Sequence, residues 1–74
     1  MNQQKEHDMK TMNEVFKHLR TAHVTAANLA ESAEAAGVDR GKVYALRNIA
    51  YHIGRARMEL KDPEMLIVQE LMRD

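Results

Sequence analysis

The chain contains no cysteine, so neither a disulfide nor a thiolate metal site can stabilise it. Tryptophan is also absent, and the aromatic residues are limited to Phe16, Tyr44 and Tyr51. With one proline and three glycines in 74 residues, the chain has little to interrupt regular structure, which favours a few long helices. Residues typical of strands never alternate with polar ones over a useful length, so we expect no β-sheet.

Long apolar runs are missing as well. No stretch approaches the roughly 18 consecutive apolar residues of a membrane span. The N-terminal sequence MNQQKEHDMK lacks the apolar core of a signal peptide. We therefore expect a cytoplasmic protein with no membrane partner, and the absence of cysteine is compatible with that compartment.

A chain this short buries a limited fraction of its surface, so a lone monomer would be marginally stable. Without disulfides or thiolate-bound metals, the remaining solutions are very efficient helix packing or oligomerisation. The short length of the chain and its lack of disulfides therefore favour a homodimer.

The first predicted helix carries an apolar seam at alternating steps of three and four residues, the spacing of a heptad repeat. We place it at residues 9–36 and expect residues 1–8 to be flexible. Threonines near His23 could break the helix, but the unbroken heptad phase favours one continuous helix. The seam consists of Met9, Met12, Phe16, Leu19, His23, Ala26, Ala30 and Ala33.

Gly37 is expected to end the first helix, and Asp39 to cap a second at residues 40–60. Asp62 and Pro63 then form a strong start for a third helix at residues 63–73. This last helix is so apolar that we expect it to be buried against the hairpin or a second subunit. The fold class that follows is all-α: a long antiparallel helical hairpin plus a short C-terminal helix, in one domain over residues 9–74, forming a dimeric helical bundle.

The second predicted helix has two distinct faces at 3.6 residues per turn. One is an apolar face that we expect to be core: Val43, Leu46, Ile49, Ala50, Ile53, Ala56 and Leu60. The opposite face interleaves basic residues with tyrosines: Arg40, Tyr44, Arg47, Tyr51 and Arg55, together with Met58. The tyrosines and arginines could pack on a neighbouring helix and pair with Glu31 and Glu34, or they could bind a partner through stacking and charge.

Charge is segregated along the chain although the net charge is zero. Residues 1–39 carry four Lys/Arg and six Asp/Glu, residues 40–61 carry six and one, and residues 62–74 carry one and four. The basic second helix therefore lies between two acidic segments. Such segregation indicates either an anionic partner or internal pairing between the segments.

The stretch AEAAGVDRGKVY, residues 33–44, resembles the turn and the start of the recognition helix in TetR-type helix-turn-helix regulators. The matching features are Ala33, Ala36-Gly37-Val38, Arg40-Gly41 and Val43-Tyr44. This resemblance implies that Arg40, Lys42 and Tyr44 would enter the major groove of DNA, where basic side chains contact phosphates and arginine reads guanine.

The sequence has few residues in patterns typical of catalytic or metal-binding sites. The sequence has no cysteine nucleophile, no phosphate-binding glycine loop and no His-Glu-x-x-His motif, and His18 and His23 are five residues apart rather than four. We therefore expect neither an enzyme nor a cofactor or metal site. His23, as a polar seam residue, could set helix register or respond to pH.

These observations predict a small non-enzymatic regulator or modulator that binds a protein partner as a helical homodimer, of the kind that phages, prophages and plasmids encode. The alternative is a helix-turn-helix-like transcriptional regulator that binds DNA through the helix at residues 39–60. The candidate binding residues for a protein or a nucleic acid are the same: Arg40, Lys42, Tyr44, Arg47, Tyr51 and Arg55.

Overall fold

The computed structural model describes residues 2–73, with side chains from Asp8 onward. The described chain is all-helical, which confirms the predicted all-α class with a long first helix and a short C-terminal helix; the dimeric bundle stays a prediction. Its elements are α1 (Asn2–Ala35), α2 (Arg40–Glu59) and α3 (Pro63–Met72). Within residues 2–73, no helix combines the length and the apolar character needed to span a bilayer.

Helix α1 is continuous through the threonines near His23, as the unbroken heptad phase predicted. The hydroxyl of Thr21 donates to the carbonyl of Lys17 at 3.1 Å, so it bonds inside the helix instead of capping a break. The helix begins at Asn2, seven residues before the predicted start at Met9. Residues 2–8 contain Gln, Lys and Glu and neither Gly nor Pro, a composition that favours a helix. The expected flexibility of residues 1–8 stays a prediction.

The turn between α1 and α2 is built as the sequence indicated. Gly37 has a φ of 75°, a left-handed conformation that glycine adopts without steric cost. The Val38 amide donates to the Ala33 carbonyl at 3.0 Å and the Gly37 amide to the Glu34 carbonyl at 3.1 Å, the pair of bonds that defines a Schellman motif. Asp39 then caps α2, because its carboxylate accepts from the Gly41 amide at 3.1 Å.

Helices α1 and α2 pack side by side as an antiparallel hairpin. Near the turn, Arg47 of α2 forms an ion pair with Glu34 of α1. Farther along, Arg57 reaches His23, so residues later in α2 meet residues earlier in α1. The predicted seam of α1 is buried or half-buried from Met12 to Ala33, whereas Met9 is 62% exposed. The apolar core consists of Phe16, Ala26, Ala30 and Val43.

The buried stripe of α2 differs from the predicted core face. Val43 is buried, but Ile49 is 50% exposed and Leu60 is 44% exposed, while Gly54 and Arg57 are buried instead. At about 100° per residue, this places the α1-facing stripe roughly 60° around the helix from the predicted one. The remaining predicted residues, Leu46, Ala50, Ile53 and Ala56, are half-buried. Hydrophobicity located the apolar surface correctly, but part of that surface does not face α1.

Helix α3 begins as predicted. Asp62 is its N-cap and accepts from the Glu64 amide at 3.0 Å, and Pro63 occupies the first turn. Its expected burial against the hairpin is wrong, since Leu66, Ile67, Val68, Leu71 and Met72 are all exposed within the single chain. The backbone of α3 approaches only the end of α2, so most of its apolar side chains meet no helix of the described chain. Burial against a second subunit stays a prediction.

Candidate functional site

The folded chain exposes far more surface than its mass requires. Its accessible area is 6289 Å², whereas a compact monomer of 8.5 kDa exposes about 4,650 Å². Its radius of gyration is 15.5 Å, against about 11.3 Å for a compact domain of this length. The chain is therefore more extended than a compact monomer of its mass, with an excess area of about 1,600 Å².

An apolar groove runs along one side of the α1–α2 hairpin, and we call it the hairpin groove. Its large side chains come from both helices, and Leu29 and Ile49 are each about half exposed. Small residues of α1 form its floor, so another helix could approach closely. The groove is lined centrally by Ala22, Thr25, Ala26, Leu29, Leu46, Ile49 and Ile53, with Lys17, His18 and Thr21 at one end.

The basic and tyrosine side chains of α2 lie on the other side of that helix. Tyr51 and Arg55 each follow a hairpin-groove residue by two positions, which turns them about 160° away from Ile49 and Ile53. Arg40, Tyr44 and Arg47 line a depression beside the turn with Glu34. Five of the six predicted binding residues thus share one face of α2, which we call the Arg/Tyr face.

Lys42 is the predicted binding residue that the structure does not place on the Arg/Tyr face. It precedes Tyr44 by two positions and therefore points to nearly the opposite side of α2. It remains exposed at the first turn of the helix. The six residues consequently cannot all contact one flat partner surface.

Two arginines of the Arg/Tyr face, Arg47 and Arg55, are paired but remain exposed. Arg47 forms an ion pair with Glu34, one of the two partners suggested by the sequence. Arg55 donates to the Tyr51 hydroxyl at 3.3 Å and lies 3.7 Å from a carboxylate oxygen of Glu59. The side chains of Arg47 and Arg55 are 56% and 63% exposed, so both remain accessible to a partner.

Beside the Arg/Tyr face is a second apolar depression, which we call the Met groove. Its floor is formed by the small residues Ala50 and Gly54 and by two methionines, Met58 of α2 and Met65 of α3. The ring of His23 closes it from α1, and a Cβ added to Gly54 would lie 3.2 Å from that ring. Its rim consists of Arg47, Tyr51 and Arg55.

Where the three helices meet, five polar side chains form a charged junction: Arg20, His23, Arg57, Asp62 and Glu64. Asp62 is fully buried and Arg57 is only 3% exposed. Arg57 Nε donates to Asp62 Oδ2 at 2.8 Å, and Arg20 Nη2 donates to Asp62 Oδ1 at 2.6 Å. This junction anchors the start of α3 to both hairpin helices.

Glu64 and His23 complete the hydrogen bonding of the buried arginine. Glu64 lies 3.3 Å from Arg57 Nη2 and 3.2 Å from Arg20 Nε. Arg57 Nη1 is 2.8 Å from His23 Nδ1, so a neutral imidazole accepts from the guanidinium there. Among the described residues, no buried side-chain nitrogen or oxygen lacks a partner.

The junction shifts the ionisation of two of its members. Hydrogen bonds from Arg20, together with those from Arg57 and the Glu64 amide, lower the pKa of Asp62 from 3.8 to about 2, against the opposing effect of burial. Burial and the adjacent Arg57 charge lower the pKa of His23 below its usual 6.5. The junction is therefore assembled from an ionised Asp62 and a neutral His23.

From the sequence alone, Asp62 is expected only as a helix cap, and neither Arg57 nor Arg20 stands out as a site residue. A usable signal was present, because Arg57 follows Val43 and Ala50 at intervals of seven residues. A heptad reading of α2 would have placed all three on the buried stripe. Hydrophobicity alone does not indicate that Arg57 is buried, because a charged residue is normally assigned to the solvent-exposed side of a helix.

Neutral His23 predicts that the chain is less stable in mild acid. The pKa of His23 in the folded chain lies below its value near 6.5 in the unfolded chain. The contribution of His23 to stability is therefore fully present above about pH 6.5. It is lost as the pH falls, because the unfolded chain binds a proton at His23 more readily than the folded chain does. Urea unfolding at about pH 7.5 and about pH 5.5 should show this loss. His23→Gln, whose carbonyl can still accept from Arg57, should lose less stability over the interval, whereas His18→Gln should behave like the wild type. An equal loss in both variants would contradict the role assigned to His23.

Comparison of the chain with family models, with curated proteins and with solved structures finds no match in any of the three.

Proposed function

We propose that this chain is a non-enzymatic modulator that works as a homodimer and binds a protein partner. The observation that carries the proposal is the exposure of large apolar side chains in the hairpin groove, where Leu29 and Ile49 are each about half exposed, and along α3. Large apolar patches on soluble proteins usually mark surfaces that an interaction covers.

The hairpin groove is the dimer surface in this proposal. A second copy fits it because the groove offers large apolar residues from both helices beside small residues of α1, so the same surface can pack on itself. Two hairpins packed groove to groove form a four-helix bundle, the architecture that joins such hairpins most simply. The bundle would also cover Leu29 and Ile49, the most exposed large residues of the groove.

The partner surface is assigned to the opposite side of α2. Arginine and tyrosine are enriched at the energetic centres of protein interfaces, because each combines a large contact area with hydrogen-bonding capacity. Here Tyr44 and Tyr51 are exposed beside exposed arginines, so both kinds of side chain are available to a partner.

Affinity capture with nuclease treatment tests the choice of partner class. Immobilised chain should retain a protein from an extract of its source cells, and the retained protein should persist after digestion of DNA and RNA. The Tyr51→Ala variant should retain less of it, and Val24→Ala, altered at an exposed position of α1, should retain the same amount. A retained protein that nuclease releases would contradict direct protein binding.

Binding of DNA by the start of α2 is the second candidate function. The observation that favours it is that Arg40 and Lys42 are both exposed at the first turn of α2, and neither forms an ion pair among residues 8–73. The antiparallel packing of α1 and α2 counts against it, since helix-turn-helix motifs cross at about 90–120°.

Fluorescence anisotropy with a labelled duplex measures this alternative. If Arg40 and Lys42 contact phosphates, changing both to glutamine should weaken binding and reduce the log–log salt slope by about 0.9 per lost contact. Folding should be unaffected, because solvated surface changes usually lie within about ±0.5 kcal/mol. Binding that is absent in the wild type, or unchanged in the double variant, would remove DNA from the proposal.

A further inference from the structure

We infer that the Met groove binds an acidic amphipathic helix of a partner protein. This inference rests on the proposed function, which it extends by naming the chemistry of the partner. An amphipathic helix would place its apolar residues on the groove floor and its carboxylates against the arginines of the rim. Laying the apolar face of a helix into a groove is a common way for proteins to recognise peptides.

The floor of the Met groove can accommodate a row of apolar side chains from a partner helix. Ala50 and Gly54 are one turn apart on α2, and the ring of His23 packs over Gly54, which leaves a shallow apolar surface beside it. Met58 and Met65 are half-buried at its end, and methionine side chains adapt readily to the shape of an incoming residue. Met65 belongs to α3, so the charged junction fixes its position relative to α2.

The positive charge of the rim favours a partner that carries negative charge. Arg47 and Arg55 are two turns apart on the same side of the groove, and each keeps more than half of its side chain exposed. Their existing partners, Glu34 and Glu59, are also exposed, at 58% and 71%. Pairs this exposed contribute little stability, so a bound carboxylate can replace either glutamate at small cost. Arginine also binds carboxylates in a bidentate manner, which fixes their position.

The Met groove remains free when the chain dimerises. Tyr51 and Arg55 point about 160° away from Ile49 and Ile53, which belong to the hairpin groove. One dimer therefore presents two Met grooves, one on each copy. A partner with two acidic helices would gain affinity from simultaneous attachment.

A designed peptide pair tests the inference directly. The probe is a fluorescein-labelled amphipathic helix of about 18 residues, with leucines at i, i+3, i+4 and i+7 spacing and glutamates beside them. Its control carries lysine in place of every glutamate. The wild-type chain should bind the acidic probe at least about tenfold more tightly than the basic control, as expected for complementary charge.

The variant Arg55→Glu should weaken binding of the acidic probe by about tenfold or more. Lys10→Glu is the matched control, since it makes the same change of charge at an exposed position of α1 and should bind like the wild type. Equal affinity for the two peptides, or equal loss in both variants, would overturn the inference. Tighter binding of a duplex DNA of about 20 base pairs, lost in Arg55→Glu, would also overturn it and assign the surface to nucleic acid.

Sedimentation of the same samples separates this inference from the proposed function. A wild-type dimer that ignores both peptides would overturn the acidic-helix partner and leave the dimer intact. A monomer that binds the acidic probe selectively would support the acidic-helix partner and overturn the dimer.

Discussion

Replacing Asp62 with asparagine is expected to reduce the free energy of unfolding by about 3 kcal/mol or more. The substitution keeps the size of the side chain and its ability to cap α3, but it removes the negative charge between Arg20 and Arg57. Arg57 is 3% exposed, so its guanidinium would remain buried with a weaker set of partners. A domain of this length has at most about 11 kcal/mol of stability in total, so the effect should be plain in urea unfolding followed by circular dichroism.

Glu64→Gln is the matched control for this substitution. Glu64 contacts the same two arginines, but its side chain is 56% exposed and its charge is solvated. Its loss should cost no more than about 1 kcal/mol. Protein concentration must be the same throughout, because dimerisation would make apparent stability depend on it. Equal, small losses in both variants would show that the charged junction is not what holds α3 to the hairpin.

Acid should weaken the same junction in a second step. The pKa of Asp62 is about 2 in the native chain and 3.8 in the unfolded chain. The stability that ionised Asp62 contributes is therefore fully present above pH 3.8 and is lost as the pH falls from 3.8 toward 2. Asp62→Asn should show a smaller loss over this interval than the wild type.

Replacing Leu29 with glutamate is expected to weaken dimerisation by at least about a hundredfold. In a symmetric interface each substitution occurs twice, so two carboxylates would enter the apolar centre of the bundle without partners. Desolvating an unpaired charge costs several kcal/mol, and each 1.4 kcal/mol is a factor of about ten in affinity. The folded monomer should survive, since Leu29 is 52% exposed in the single chain and both residues favour helices.

Val24→Glu provides the control for the dimer variant. Val24 is 56% exposed on the same helix, but it does not line the hairpin groove. Introducing the same charge there should leave the dissociation constant within about a factor of two or three of the wild-type value. If both variants dissociate equally, the loss reflects general charge repulsion and the groove is not the interface.

Local signals in the sequence predicted the helices well. Gly37, Asp39, Asp62 and Pro63 occupy positions where one backbone conformation or one capping bond is strongly preferred, so these residues act through their nearest neighbours. The α1 seam was also predictable, because its heptad phase persists over many turns. Such features depend on periodicity and turn chemistry, which a single sequence records directly.

The rotation of α2 and the exposure of α3 could not be predicted in the same way. Hydrophobicity shows which residues avoid water, but it does not show whether α1 or another molecule covers them. Ile49 and Leu71 are apolar without contributing to the core of one chain, whereas Arg57 is buried because Asp62, His23 and Glu64 satisfy its donors. Only the packed structure reveals those partners, and with them the difference between core and interface.

Sedimentation equilibrium of the wild-type chain at micromolar concentration tests the central claim most directly. The proposal predicts a mass of about twice the 8.5 kDa of one chain, falling to the monomer mass in Leu29→Glu but not in Val24→Glu. A wild-type chain that remains a stable monomer of 8.5 kDa across that range would contradict the dimer and leave the apolar side chains of the hairpin groove without their proposed cover.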